Sequence, residues 1–170
     1  MNQPRLSGVT SSSDCQWDGR LYMRNGRGFI TMLEAFRATG GTARAEIVGQ
    51  LLQDRHAGDT VSLAKLLNSG QLFGFEWRAS LWIPMFQFDA GDLSLKAGVQ
   101  RVRAELPPLW SGWTLASWFA APNERFGGRN AADTIDLDLT AVVQAARGLG
   151  AIDAAPRVFV RPKREVAASV

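Results

Sequence analysis

The sequence predicts a mainly α-helical chain with a small β-hairpin, an α+β fold, on three observations. Apolar residues recur at three- and four-residue spacing in several segments, each closed by Gly, Pro or Asn. One stretch, 71–89, departs from that period: it is dense in aromatics and broken only by Arg78-Ala79-Ser80. The chain has 170 residues, 46% of them hydrophobic, which is enough to bury a core without disulfides or metals.

Residues 1–28 are rich in Ser, Gly, Asn and Arg, carry isolated Trp17 and Tyr22, and show no period. They predict a flexible N-terminal segment. A unit over 29–91 follows. Ile30, Leu33 and Phe36 are spaced for a short helix that Gly40-Gly41 stops. Thr42 is placed to cap a second helix, whose stripe is Ile47, Val48, Leu51 and Leu52. His56 to Thr60 reads as a turn, and a third helix over 61–69 carries Leu63, Ala64, Leu66 and Leu67. Two short helices joined by a turn make a helix-turn-helix-like unit. Leu72–Trp77 and Leu81–Phe88 then read as the two strands of the hairpin, with Pro84 at an edge or bulge. Both faces of the second strand are apolar, so it is covered on both sides or forms an interface.

The helical period returns over 92–150. Leu95, Val99, Val102 and Leu106 share one face of a helix over 94–106, ended by Pro107-Pro108. A helix over 112–120 turns Leu115, Trp118 and Phe119 inward, and Pro122-Asn123 breaks it. A glycine-bearing turn leads into a short helix. Asp138 caps the last helix, with Leu139, Val142, Val143 and Ala146 on its apolar face. Residues 151–170 form a basic tail.

Charge separates the body from the ends. The formal net charge is +3, but 1–28 and 151–170 each carry four basic and two acidic residues, +2 apiece. Residues 29–150 hold 11 basic against 12 acidic, a net of −1. Attraction to phosphates would come from the ends, not the body. Cys15 is the only cysteine, no apolar run approaches the roughly 20 residues that span a bilayer, and the first residues lack a secretory core. These features predict a cytoplasmic protein with no membrane contact.

Catalytic chemistry finds little to use. His56 is the only histidine, and in a surface turn it lacks the oriented nucleophile and partner that a catalytic base needs. One Cys and one His cannot make the usual zinc site. Asp133, Asp136 and Asp138 cluster, but Asp138 is a cap and the others fit a solvated turn. Gly127-Gly128-Arg129 lacks the Lys and Ser of a phosphate loop and follows no strand. The sequence predicts a non-enzyme without cofactor or metal.

One stretch, WTLASWFAAPNERFGGRNAADTIDLDLTAVVQAARG (113–148), resembles the signature of the Xre/MbcA/ParS-type toxin-binding domain (DUF2384-like). The match lies in Trp118-Phe119, Pro122-Asn123, Phe126-Gly127-Gly128-Arg129 and Val142-Val143. Asn130-Ala131-Ala132-Asp133 departs from the common Thr-Pro followed by an apolar residue. Upstream, Phe75-Glu76-Trp77 and Pro84-Met85-Phe86-Gln87-Phe88 are similar to an aromatic segment of longer members. The resemblance implies an antitoxin in a toxin–antitoxin system, which binds and neutralises an NAD-consuming RES-domain toxin and forms a homodimer. It implies toxin contacts at Trp118, Asn123, Phe126, Gly127, Gly128 and Arg129. The alternative at that turn is that Trp118 and Phe126 are core and only Asn123 and Arg129 are exposed. The Xre type also implies a DNA-binding autorepressor of its own operon, with candidate operator contacts at Arg44, Ser62, Lys65 and Asn68. A helix offering only Ser62, Lys65 and Asn68 is a thin recognition surface.

Overall fold

The computed structural model describes residues 26–55 and 62–154, with side chains as far as Leu149. The N-terminal segment up to residue 25 with Cys15, expected to be flexible, the expected turn with His56 and the tail beyond 154 lie outside the described residues. The described chain is mostly helical around one three-stranded antiparallel sheet, an α+β fold.

Helix α1 spans Gly26–Ala35 and runs into a 3-10 turn, Arg37–Thr39. Gly40 (φ 96°) and Gly41 (φ 74°) then take left-handed conformations that side chains resist. They redirect the chain into a strand where a helix cap was expected: β1, Thr42–Arg44. Thr42 therefore pairs with Pro84 instead of capping α2, which starts at Ala45 and ends at Arg55. Helix α3, Leu63–Asn68, completes the helix pair.

The hairpin is β2, Phe75–Trp77, and β3, Ser80–Pro84. Its turn is tighter than the sequence suggested: Arg78 and Ala79, both at positive φ, form it, and Ser80 is already in the strand. The sheet order is β1-β3-β2, so Pro84 lies on the central strand and not on an edge. It is tolerated because it is the last residue of that strand. Continuing the β2–β3 register by two residues would set Phe73 against Pro84, which has no N–H to give. The Gln87 carboxamide takes over: the Phe73 N–H donates to its Oε1 (3.1 Å), and its Nε2 donates to the Phe73 and Pro84 carbonyls (2.9 and 3.0 Å). Gln87 is 1% exposed, and all three bonds are shielded from water.

Successive residues of a strand point to opposite faces, and β3 divides two cores that way. Ile83 enters a small aliphatic cluster with Val48, Leu52, Leu66, Leu72 and Phe88. Trp82 packs against a larger cluster that joins α1, the aromatic segment and the C-terminal helices. The aromatic segment is thus covered on both sides within the chain. Phe73, Phe86 and Phe119 cluster there with ring centroids 4.9–6.1 Å apart, Phe73 stacked on Phe119 and edge-on to Phe86. The larger cluster takes Met32, Phe36, Phe73, Phe75 and Phe86 from one side of residue 91 and Val99 to Ala146 from the other.

Helix α4 spans Ala97–Glu105 and packs on α7, Leu139–Ala154. Helix α5 runs Gly112–Ala120, started by the Ser111 side chain accepting the Thr114 N–H and ended before Pro122. Helix α6, Ala131–Thr134, is capped by Asn130, and Asp138 Oδ1 accepts the Ala141 N–H in the first turn of α7. Among the described residues no helix is long and apolar enough to cross a membrane.

Candidate docking site at the turn after helix α5

Residues 121–130 wrap into a closed turn between α5 and α6. The Asn123 N–H donates to the Arg129 carbonyl (2.9 Å), and the Asn123 carbonyl accepts from Phe126 and Gly128 (both 3.0 Å). The Asn123 side chain is committed to this turn, because its Oδ1 accepts the Arg125 N–H at 2.9 Å. Gly127 (φ 65°) and Gly128 (φ 82°) supply the two left-handed residues that close it. Asn130 then fixes the turn in the fold. Its Oδ1 accepts the Asp133 N–H (2.7 Å), and its Nδ2 donates to the Ala35 carbonyl at the end of α1 (3.1 Å).

The six residues of the sequence motif divide by burial. Trp118 is 6% exposed and meets Phe119 edge to face. Phe126 is half-buried and packs against the larger core. Asn123 is half-buried, while Gly127, Gly128 and Arg129 are exposed. The geometry is closer to the alternative in which the aromatics belong to the core, with one difference. Trp118 also lines a cavity of about 230 Å³, together with Asn123, Arg125, Ala145, Gly148 and Leu149. Buried indole and open hollow thus meet at one residue.

Arg125 was not legible as a site residue. It extends toward α7, where a Cβ added at Gly148 would lie 3.6 Å from its Nη1. Among the described residues the ion pairs are Arg37–Glu34, Lys96–Asp136 and Arg147–Glu105. None of them involves Arg125 or Arg129, which are both exposed. An unpaired guanidinium, that of Arg125, beside a hollow walled in part by the Trp118 indole is the composition of a protein-binding hot spot. A hollow of this size is below the roughly 300–1,000 Å³ that holds a drug-sized ligand and suits a side chain.

The candidate operator contacts are not gathered on one helix. Lys65 and Asn68 are exposed on α3, which has six residues, and Ser62 is exposed just before it. Arg44 ends β1, its guanidinium 5.5 Å from the centre of the Trp82 ring. Elsewhere, Arg147 holds the Glu105 carboxyl below its ordinary value through a hydrogen bond. Burial lowers the Arg103 guanidinium. No three His, Cys, Asp or Glu side chains converge as for a metal ion among the described residues. No family model, curated protein or solved structure matches the chain.

Proposed function

We propose that this chain is an antitoxin-like, non-enzymatic binding protein that neutralises a RES-type, NAD-consuming toxin in the cytoplasm. The contact is the turn after α5 and the adjoining face of α7. The observation that carries the reading is the hollow lined by Trp118, with Arg125 beside it and Arg129 on the same turn. A neutralising protein needs a rigid, shaped surface and no reacting groups. The closed hydrogen bonding of 123–129 and the Asn130 tie to α1 supply that rigidity. The resemblance of 113–148 to toxin-binding domains points to the same turn, through Trp118 and Arg129.

Operator binding draws less support. Helix α3 is short, and Arg44 lies against Trp82. Co-expression with the product of the neighbouring gene tests the main reading. The gene product alone should arrest growth, and this chain should relieve the arrest and co-purify with it. No complex and no relief would refute the proposal.

A further inference from the structure

The turn after α5 has a second hollow on its other side. Gly28, Thr31 and Met32 of α1 line it with Ser117 and Ala120 of α5, and its volume is also about 230 Å³. Ala121 and Pro122 line both this hollow and the one at Trp118, so the two adjoin at that dipeptide.

Two details mark the second hollow as more than loose packing. Ser117 is 5% exposed, and its Oγ has no hydrogen-bond partner. A helical serine ordinarily bonds back to a carbonyl of the preceding turn or reaches solvent, and an unmatched buried hydroxyl costs about 1–3 kcal/mol. Gly28, in the first turn of α1, is also buried. A small residue there keeps the α1 wall of the hollow low.

An extended peptide turns successive side chains to opposite sides, so neighbouring residues of one strand-like segment can reach hollows on either side of a ridge. The first hollow supplies an indole and an unpaired cation. The second is walled by Met32 and Ser117, whose hydroxyl is buried and unmatched. We infer that the partner docks through an extended, acidic segment running along the Ala121-Pro122 ridge. One apolar side chain enters over Trp118 with a carboxylate against Arg125, and a second, tipped with a hydroxyl or amide, sits between Met32 and Ser117. This rests on the reading of the turn as a docking surface and adds the class of segment that it takes.

The test is selection of random dodecapeptides, displayed on phage, against the full chain, followed by titration of the enriched peptides. They should carry Asp or Glu beside an apolar residue, with a polar-tipped residue close by. Arg125→Glu should weaken such a peptide about thirtyfold, and Thr31→Trp, at the exposed rim of the second hollow, about tenfold. Both variants should keep the wild-type melting temperature. Ser117→Ala should bind more weakly while melting no lower, which a purely structural serine would not do. No enrichment, enriched peptides without carboxylates, or wild-type affinity in both Thr31→Trp and Ser117→Ala would overturn the inference. Peptides that follow these rules beside a neighbouring gene product that is neither toxic nor bound would refute the toxin and keep the groove. Toxin neutralisation indifferent to Thr31→Trp and Ser117→Ala would do the reverse.

Discussion

The α2–α3 pair and the α5–α7 assembly sit on opposite faces of the same sheet, and they are built differently. The first is held by the small cluster around Val48, Leu52, Leu66 and Ile83, with Ile47 (49% exposed) and Leu51 (40% exposed) open to solvent. The second shares the larger aromatic core, where six residues of α5 from Trp113 to Phe119 are buried. The Trp113 Nε1 also donates to the Glu76 carbonyl at 2.6 Å. The helix pair is thus held by a small cluster. A dense core gives a fixed platform, and the candidate docking site lies on the platform.

The largest expected effect tests how tight that platform is. At Gly112 an added Cβ would lie 1.8 Å from the Gly74 carbonyl oxygen, a backbone clash no rotamer relieves. Gly112→Ala should destabilise the fold by roughly 4 kcal/mol or more in urea unfolding. Next comes the joint between the aromatic segment and the sheet. Gln87→Ala leaves the buried Phe73 N–H and C=O without partners and should cost about 3 kcal/mol. On the looser side the sign reverses. A Cβ at Gly49 of α2 would meet only Leu63 Cδ2, at an ordinary 3.8 Å. Gly49→Ala should therefore stabilise by about 0.5–1 kcal/mol. If Gly49→Ala destabilised as much as Gly112→Ala, the two sides would be equally tight and the comparison would fail.

The smallest effect concerns the α4–α7 contact. The Arg147 hydrogen bond holds Glu105 below its ordinary carboxylate range, so the pair contributes at neutral pH. That contribution fades as pH falls through the ordinary carboxylate range and is lost below the lowered value. Glu105→Gln should remove a small part of the acid dependence of melting and leave the neutral-to-alkaline slope unchanged.

How much of this was legible in the sequence follows from the range of the interactions. Helix α5 was readable to the residue, because Pro107-Pro108 and Pro122-Asn123 bracket it and its inward face is continuous. The Asp138 cap was readable for the same local reason. Strand β1 was not: Thr42-Ala43-Arg44 carries no strand signal, and its partner lies forty residues on. Pro84 was misplaced for the same reason: β1, which makes β3 the central strand, was not foreseen. At the site, the Gly127-Gly128 turn showed in the sequence through its glycines. Arg125 did not, since its place is set by α7 folding back until Gly148 leaves room for it. The hollow between α1 and α5 was equally silent, for its walls are nearly ninety residues apart.

On the proposed reading, a partner docks at the Trp118–Arg129 turn. Calorimetric titration of the neighbouring gene's product into the wild-type chain and into Arg125→Glu tests it most directly. Saturable one-site binding to the wild type is expected, weakened about thirtyfold or more in the variant at an unchanged melting temperature. Equal affinity for the two chains, or none for either, would contradict it.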